Sequence, residues 1–348
     1  MTHALSKNLW FVRIFHWEFW PSQLANIPII CYWLYFAARA RSLTYFSAVN
    51  PAIETGGMYG ESKIRILDQI PAAYKPLTLY SEAGTPLEIL LPRIEAAGIT
   101  FPLIAKPDIG ERGLRVEKIH TPAELATYLA QTPVALLIQE YIDYPEEYSV
   151  FHYRFPGQPK GVVSSLCHKI HLSVTGDGVS TLRDLIRDYP RAHLQLPVLE
   201  QRLAARMNDV PPAGEKVLLL PIGNHARGAM FLDLNHEIDE NLLQVFDDLS
   251  HRLPGIYFCR HDLKCRSLAD LKAGQHFKIL EINGVAGEPA HIYDPDYSMA
   301  AAYKDSYHHW KIMYQISRAQ HAAGVPYMSW KEAWTRLQAY FQYKKQFS

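Results

Sequence analysis

The chain has 348 residues, of which 48% are hydrophobic, and its 35 lysines and arginines balance its 35 aspartates and glutamates. This length suits two or three domains or subdomains. The balanced charge and the lack of a basic block argue against a nucleic-acid partner. The four cysteines, Cys31, Cys167, Cys259 and Cys265, match no zinc motif or disulfide framework. Their pattern indicates reduced thiols in a cytoplasmic compartment.

The N-terminal segment, residues 10–41, is rich in aromatic side chains and holds the most apolar stretch of the chain, Leu24–Ala38. That stretch is shorter than the ~20 residues of a spanning helix, and Asn26 and Pro28 interrupt it. Aromatic residues around a short apolar helix, with two arginines after it, are typical of peripheral contact with the inner face of a membrane. The same composition is typical of a buried hairpin packed on the body of the protein or on another subunit, as in a homodimer.

Helix start signals organise the rest of the chain. Three capping boxes, in which Thr or Ser is followed three residues later by Glu, predict helix starts at Thr85, Thr121 and Ser329. The predicted helices, in chain order, are Lys63–Ile70, residues 85–97, a helix from residue 121, Ser180–Arg187, Asn241–Arg252, Met299–Ala322 and Ser329–Tyr343. The segment Ser47–Ser62 is rich in small and turn residues, which predicts either a linker or an ordered loop.

Apolar and β-branched runs predict the strands. In chain order these are Tyr74–Tyr80, Phe101–Lys106, Leu114–Ile119, Val134–Tyr141, Tyr148–Phe155, Gly161–Leu172, Gly255–Asp262 and Phe277–Asn283. The pattern pairs Tyr148–Phe155 with Gly161–Leu172. Helices and antiparallel strand pairs are interleaved without a regular βαβ repeat, so the predicted class is α+β.

The stretch Phe277–Pro289 is the most informative part of the chain. Its apolar strand ends in Glu281, and Asn283 follows on the same face because side chains alternate along a strand. Arg260 and Asp262 have the same spacing upstream. Carboxylate and amide oxygens suit Mg²⁺, and this set of charges suits the handling of ATP phosphates. The alternative is an ordinary turn, since Asn-Gly favours turns.

A lysine and two glycines follow the predicted strand that ends at residue 106. Lys106 closes the strand, and Gly110 and Gly113 lie in the turn after it. Two glycines in such a turn allow backbone N–H groups to approach a phosphate closely, with the lysine as a point charge beside them. The alternative is a hairpin with a surface lysine.

The strand that closes with Glu140-Tyr141-Ile142 is a candidate for contact with a nucleotide base. Backbone groups at such a strand end can pair with an adenine edge. Glu147, a few residues later, can accept hydrogen bonds from both ribose hydroxyls. The alternative is a pair of solvated glutamates.

The order of these motifs resembles the ATP-grasp superfamily. PLIAKP with its glycine turn comes first, and QEYI, EEYSV, RHD and LEINGVAGEP follow. Within the superfamily the chain is similar to the D-alanine–D-alanine ligase, cyanophycin synthetase and RimK-like branches. Val174–Ile186 and residues 223–228 are similar to stretches of those branches. The resemblance covers residues 62–296 and implies an ATP-grasp fold of two α+β subdomains with ATP between them.

The resemblance implies a division of the chain and a role for each motif residue. The predicted parts are an aromatic segment, 1–46; a linker and reduced leading region, 47–84; two ATP-grasp subdomains, 85–143 and 144–298; and C-terminal helices, 299–348.

The implied nucleotide contacts are Lys106 to the α- and β-phosphates, Gly110 and Gly113 in a closing loop, Glu140, Tyr141 and Ile142 beside adenine, and Glu147 on the ribose. The implied ligands of two Mg²⁺, with Mn²⁺ as an alternative metal, are Asp262, Glu281 and Asn283. The implied catalytic cations are Lys169, Arg227 and Arg260, which would approach the phosphates or the anionic intermediate.

The resemblance implies an ATP-dependent carboxylate–amine ligase that acts through an acyl phosphate on an amino acid or small carboxylate. Two alternatives stay open, a non-catalytic ATP-binding scaffold and phosphoryl transfer to an acceptor other than a carboxylate. The chain departs from the pattern because residues 1–84 stand where most ATP-grasp ligases have a complete α/β domain. In addition, GVAGEPAHIYDP replaces a shorter Pro-Gly loop. The identities of the acid and the amine therefore do not transfer.

Overall fold

The computed structural model describes residues 25–111, 113–220, 223 and 228–347. The strands are β1 (Thr78–Ser81), β2 (Leu103–Pro107), β3 (Glu117–Ile119), β4 (Leu136–Glu140), β5 (Glu146–Tyr153), β6 (Val162–Ile170), β7 (Ser173–Thr175), β8 (Lys216–Leu218), β9 (Met230–Asp233), β10 (Phe258–Cys265) and β11 (Phe277–Asn283). The α-helices are α1 (Ile27–Ala40), α2 (Lys63–Leu67), α3 (Leu87–Ala96), α4 (Pro122–Gln131), α5 (Leu182–Asp188), α6 (Pro190–His193), α7 (Leu196–Arg202), α8 (Glu240–His251), α9 (Leu268–Lys272), α10 (Met299–Ala322) and α11 (Trp330–Lys344).

The smaller of the two main sheets is antiparallel and has the strand order β1-β4-β2-β3. Helices α3 and α4 cover it, and Leu90 and Leu125 are buried against Leu103 of β2 and Ile138 of β4. Burying such side chains contributes about 1.5–3 kcal/mol each. The sheet holds Lys106 near the end of β2.

The larger sheet is also antiparallel, in the order β11-β10-β5-β6-β9. Helix α8 and the sheet share a core that contains Phe246 and Leu263. Helix α10 and the sheet share a second core, in which Phe258 of β10 lies with Met313. Strand β10 therefore lies between β5 and β11, with apolar cores on the two sides of the sheet.

The predicted α+β class is confirmed, since every strand pair of the described ranges is antiparallel. The strand pair predicted over Tyr148–Phe155 and Gly161–Leu172 is present as β5 and β6. Strand β11 and helix α10 have the predicted bounds. A small unit of β7, β8 and helices α5 to α7 has its own core, which includes Leu182 and Val217.

Two of the three predicted helix starts are confirmed by N-cap hydrogen bonds. Thr121 and Ser329 accept hydrogen bonds from the backbone N–H three residues later, each at 3.2 Å. The third prediction is wrong, because Pro86 occupies the position before α3 with extended backbone (φ −62°, ψ 148°). The Thr85 hydroxyl instead donates to the Glu82 carbonyl at 2.8 Å.

The prediction of a strand over Leu114–Ile119 is also wrong for the first half of that range. The N–H groups of Leu114 and Val116 donate to the carbonyls of Glu111 and Gly113, which makes turns there. Only Glu117–Ile119, β3, pairs with β2. The local apolar pattern carries no information on where pairing with β2 ends.

Helix α1 packs on α10 through aromatic rings. Phe36 is 2% exposed, and its ring stacks on that of Tyr314 at 5.1 Å between centroids. Packing on the body of the protein, one of the predicted alternatives, therefore holds for this helix. Residues 10–24 of the predicted aromatic segment lie outside the described residues. No helix in the described ranges combines the length and the apolar character that crossing a membrane requires.

The segment Ser47–Ser62 is an ordered loop, one of its two predicted alternatives. Asn50 is fully buried, and its amide donates to the carbonyls of Gly56 and Phe258 at 3.0 and 2.8 Å. Gly57, at φ 83°, lies against Gly284, where an added Cβ would come within 2.6 Å of the Gly284 Cα. These contacts fix the loop beside β10 and the end of β11.

Candidate active site

A cavity of about 1060 Å³ lies between the two main sheets. The predicted site residues that the structure describes all line it: Lys106, Gly110, Gly113, Glu140, Tyr141, Ile142, Glu147, Lys169, Arg260, Asp262, Glu281 and Asn283. Arg227 lies outside the described residues. The fold thus brings together residues from both sheets, and their individual roles stay predictions.

The register of β10 and β11 sets four functional groups on one face of the larger sheet. Asp262 lies opposite Glu281, and Arg260 lies opposite Asn283. Directly opposed residues of an antiparallel pair project from the same side of the sheet. A register shift directly after Asp262 ends this regular block of pairs.

Asp262 is the centre of a buried charge network. The Arg260 Nε and Nη2 atoms donate to its two carboxylate oxygens at 3.1 Å each, and the Lys169 ammonium lies 3.0 Å away. Ser149 donates to the same carboxylate, and so does the Asn283 amide at 3.1 Å. Burial alone would raise the pKa of Asp262, but Arg260 and Lys169 hold it well below its usual range. Asp262 is therefore ionised.

Glu281 is more open to the cavity, with 35% of its side chain exposed. The Lys63 ammonium lies 3.5 Å from its carboxylate and also donates to the Gly110 carbonyl. Sequence reasoning missed Lys63. It is the first residue of α2, and nothing in the local sequence indicates that it contacts β11. It links the glycine loop to the predicted metal site.

Lys106 is buried and reaches from the smaller sheet to the larger one. Its ammonium donates to the Gln139 side-chain oxygen at 3.0 Å and to the Leu280 carbonyl at 3.2 Å. Burial lowers the pKa of Lys106 to about 8. The second bond places the ammonium beside Glu281, the next residue of β11.

Glu147 and Lys169 form a second buried pair in the cavity wall. The Lys169 ammonium lies 3.5 Å from the Glu147 carboxylate, and His171 contacts the same carboxylate at 3.0 Å. Burial alone would raise the pKa of Glu147, but Lys169 and His171 lower it below its usual value. His171 is a further residue that sequence reasoning missed, since it follows β6 without any recognisable motif.

The segment that joins β4 to β5 carries the predicted base contacts. Lys264 donates to the Ile142 carbonyl at 3.3 Å. The ammonium of Lys118 lies 3.5 Å from the centre of the Tyr141 ring, and that of Lys264 lies 5.4 Å from it. Glu140 accepts from the Leu77 N–H at 3.0 Å. This end of the cavity is therefore cationic and ordered.

The glycine loop is held from two sides. Gly113 has φ 68°, a conformation that favours glycine. Glu111 forms an ion pair with Lys344 of α11 at 2.6 Å, and Lys63 contacts the Gly110 carbonyl. The loop thus connects the cavity to the C-terminal helix.

One carboxyl group of the cavity wall has an oxygen atom without a hydrogen-bond partner among the described residues. The Oε2 atom of Glu61 is buried and accepts no hydrogen bond from the described residues. Burial raises the pKa of Glu61 above its usual value. Sequence reasoning placed this residue only in a loop and missed its position in the cavity wall.

The donor set of Asp262, Glu281 and Asn283 fits Mg²⁺. Glu281 offers carboxylate oxygens to the cavity, whereas those of Asp262 already accept from Arg260. Asn283 turns its nitrogen to Asp262, which leaves its amide oxygen for another partner. Hard cations such as Mg²⁺ prefer oxygen ligands of these types. Within the described ranges no group of three His, Cys, Asp or Glu residues is arranged to hold a metal, and the predicted set differs in including the amide of Asn283.

The chain matches no protein-family model. It is 26% identical over 184 residues to the glutathione biosynthesis bifunctional protein GshAB from two strains of Streptococcus agalactiae. The match covers 47% of this chain and 24% of those proteins, so the chain spans about a quarter of their length.

Solved structures that align with this chain include two ligases. The bifunctional glutathione synthetase of Pasteurella multocida has 16% identity and a TM-score of 0.36, covering 72% of this chain and 38% of its own. The D-alanine–D-alanine ligase of Bacillus anthracis has 13% identity and a TM-score of 0.43, covering 76% and 69%. The resemblance of this chain to ATP-grasp ligases is confirmed.

Proposed function

We propose that this chain is an ATP-dependent ligase that joins a carboxylic acid to an amine through an acyl phosphate. The observation that carries the proposal is the register of β10 and β11, which sets Arg260, Asp262 and Glu281 on one face of the cavity. Lys106 reaches the same place from the smaller sheet through the Leu280 carbonyl. The cavity thus combines cations for phosphates with oxygen ligands for Mg²⁺.

The reaction requires activation of the acid, because a carboxylate is a poor electrophile. A carboxylate oxygen attacks the γ-phosphorus of ATP, an O–P bond forms, and ADP leaves with the electrons of the bond that breaks. The amine nitrogen then attacks the carbonyl carbon and loses a proton, and phosphate leaves with the electrons of the C–O bond. Arg260 would neutralise the charge that develops in both steps. When bound, Mg²⁺ supplies further neutralisation of the transferring phosphoryl group.

The remaining predicted residues complete this assignment. Lys106 and Lys169 would contact the phosphates, and Glu147 would hold the ribose. Asp262, Glu281 and Asn283 would hold two Mg²⁺ or Mn²⁺. Both lysines are buried beside carboxylates in this structure, and the phosphates of ATP would offer them alternative anionic partners. The loop of residues 110–113 would close over the nucleotide and exclude water.

The non-catalytic scaffold is not favoured, because all three predicted metal ligands line the cavity together with Lys106 and Lys169, the lysines predicted to contact the phosphates. Phosphoryl transfer to an acceptor other than a carboxylate would leave a stable phosphorylated product. The ligase instead releases inorganic phosphate together with ADP. Measuring both products therefore separates these functions.

We also propose that α1 rests on the surface of a membrane, at its inner face, as a peripheral contact. The outer face of this helix carries Ile27, Ile30 and Leu34, which are 53, 49 and 48% exposed. Their spacing places them on one side of the helix. Vesicle sedimentation of the full chain tests the proposal, with Leu34→Glu as the variant that should stay in the supernatant. A protein that ignores vesicles and dimerises through this face would contradict it.

The proposed function is tested by the release of ADP and phosphate from the full chain with a panel of acids and amines. We expect release to require both an acid and an amine. The variant Glu281→Gln should lose at least about 100-fold in turnover, because the charge stabilisation that metal ligands support amounts to several kcal/mol. Glu95→Gln, a matched change at an exposed glutamate of α3, should behave as wild type. Turnover that Glu281→Gln does not affect would overturn the assignment.

A further inference from the structure

The cavity continues beyond the residues that the proposed ligase would use for ATP. Its volume of about 1060 Å³ is at the upper end of typical ligand pockets, which measure about 300–1,000 Å³. The additional part, called the apolar annex below, lies between α1, β10 and α11. We define it by six apolar side chains among those that line the cavity: Ile30, Trp33, Leu43, Phe258, Trp330 and Trp334.

Strand β10 orders the cavity from its nucleotide end to the apolar annex. Lys264, Asp262, Arg260 and Phe258 alternate along the strand, and all four line the cavity. Lys264 contacts the predicted base-binding segment through the Ile142 carbonyl. Asp262 and Arg260 follow at the predicted metal and phosphate position. At about 3.4 Å per residue, Phe258 lies roughly 14 Å beyond Asp262. The apolar annex therefore begins one step past Arg260, on the side away from the nucleotide base.

The mouth of the apolar annex exposes large apolar side chains. Ile30 is 49% exposed and Leu43 is 43% exposed. Trp330 and Trp334, on successive turns of α11, are 59 and 49% exposed, and their rings stack at 6.3 Å. Exposed apolar residues grouped around a cavity are typical of a binding site for an apolar ligand.

We propose that the acid substrate carries an extended hydrocarbon chain and that this chain occupies the apolar annex. The inference rests on the proposed ligase function. The acid carboxylate must meet the γ-phosphate beside Arg260, and Phe258, the next cavity-lining residue of β10, belongs to the annex. The ligand class is thus an amphipathic carboxylic acid, with its anionic end among Arg260, Lys106 and Lys169 and its chain among the tryptophans.

The first test measures binding and does not depend on turnover. Decanoate is titrated into the full chain in the presence of Mg²⁺ and a non-hydrolysable ATP analogue, and binding is followed by calorimetry. Acetate serves as the matched acid without a chain. We expect decanoate to bind at least tenfold more tightly than acetate.

A pair of variants tests the location of the chain. Ile30→Glu places a charge at the mouth of the apolar annex and should weaken decanoate binding at least tenfold. Ile89→Glu is the matched control, because Ile89 is 54% exposed on α3 and does not line the cavity. This control should bind decanoate as wild type does. Circular dichroism of both variants establishes that they are folded.

The second test uses hydroxylamine in place of the amine, so that the acid is identified whatever the natural amine is. Hydroxylamine attacks the acyl phosphate and gives a hydroxamate and phosphate. We expect decanoate hydroxamate in wild type and Ile89→Glu, and at least tenfold less in Ile30→Glu.

The outcomes separate the inference from the proposed function. Hydroxamate from short amino acids alone, unchanged in Ile30→Glu, would overturn the inference and leave the ligase function intact. Failure of decanoate to bind would also overturn it. Decanoate binding that Ile30→Glu weakens, without hydroxamate from any acid, would support the annex as a binding site and count against the ligase function.

Discussion

Replacing Lys169 by methionine should destabilise the fold by about 3 kcal/mol. Lys169 is 5% exposed, and its ammonium lies 3.0 Å from Asp262 and 3.5 Å from Glu147. Methionine retains much of the aliphatic stem but removes the charge. Two buried carboxylates then lose a cation, which leaves part of their charge without compensation.

The magnitude follows from the partners that remain. Removing one member of a buried ion pair costs about 3–5 kcal/mol. Asp262 keeps its two hydrogen bonds from Arg260, and Glu147 keeps its contact with His171. We therefore expect a loss of about 3 kcal/mol, at the lower end of that range.

A lysine whose carboxylate partners are exposed provides a matched control. Lys272 also bridges two carboxylates, Glu237 at 3.0 Å and Asp239 at 3.1 Å, but those partners are 43 and 41% exposed. Exposed pairs contribute about 0–1 kcal/mol, so Lys272→Met should lose no more than about 1 kcal/mol.

Urea denaturation measures the free energy of unfolding for both variants, with circular dichroism and tryptophan fluorescence followed together. If the two signals change over the same urea range, unfolding is two-state and the free energies of the variants can be compared. Equal losses in Lys169→Met and Lys272→Met would refute the reasoning, because burial would then not decide the strength of the pair.

Three further outcomes concern the cavity. Lys106→Met should weaken Mg-ATP binding, as measured by calorimetry. Because the pKa of Lys106 is about 8, its charge is present below that pH and lost above it. Affinity in wild type should therefore fall as the pH rises through 8, whereas in Lys106→Met it should not, and identical pH profiles would contradict this role. Asp262→Asn should lower turnover at least about tenfold in the ADP-release assay, since Arg260 and Lys169 lose their shared anion; unchanged turnover would remove Asp262 from the site. Mg-ATP should slow limited proteolysis at Gly110–Gly113, seen by mass spectrometry of the fragments, and an unchanged cleavage pattern would argue against a closing loop.

Parts of the fold that depend on local patterns could be predicted from the sequence. Phe277–Asn283 has an unbroken strand pattern, and Met299–Ala322 begins at a capping serine, Ser298, so both elements have the predicted bounds. Thr85 shows the limit of this reasoning. Its capping pattern is sound, but Pro86 adopts extended backbone and occupies the position before the helix.

Four of the predicted site residues, Arg260, Asp262, Glu281 and Asn283, lie together because their spacing along β10 and β11 reflects the faces of strands. The missed residues have no such spacing. Lys63 meets Glu281, and His171 meets Glu147, through the packing of distant segments. The apolar annex likewise depends on α1 and α11, which lie near opposite ends of the described chain. Such contacts are set by the tertiary fold and leave no local signal.

The transfer of oxygen from acid to phosphate tests the acyl phosphate most directly. The acid that gives the most hydroxamate is labelled with ¹⁸O in its carboxylate and incubated with the full chain, Mg-ATP and hydroxylamine. In the proposed reaction a carboxylate oxygen forms the O–P bond and stays with phosphorus when the C–O bond breaks. Each released phosphate should therefore carry one ¹⁸O, as measured by mass spectrometry. Unlabelled phosphate released together with hydroxamate would contradict the mechanism.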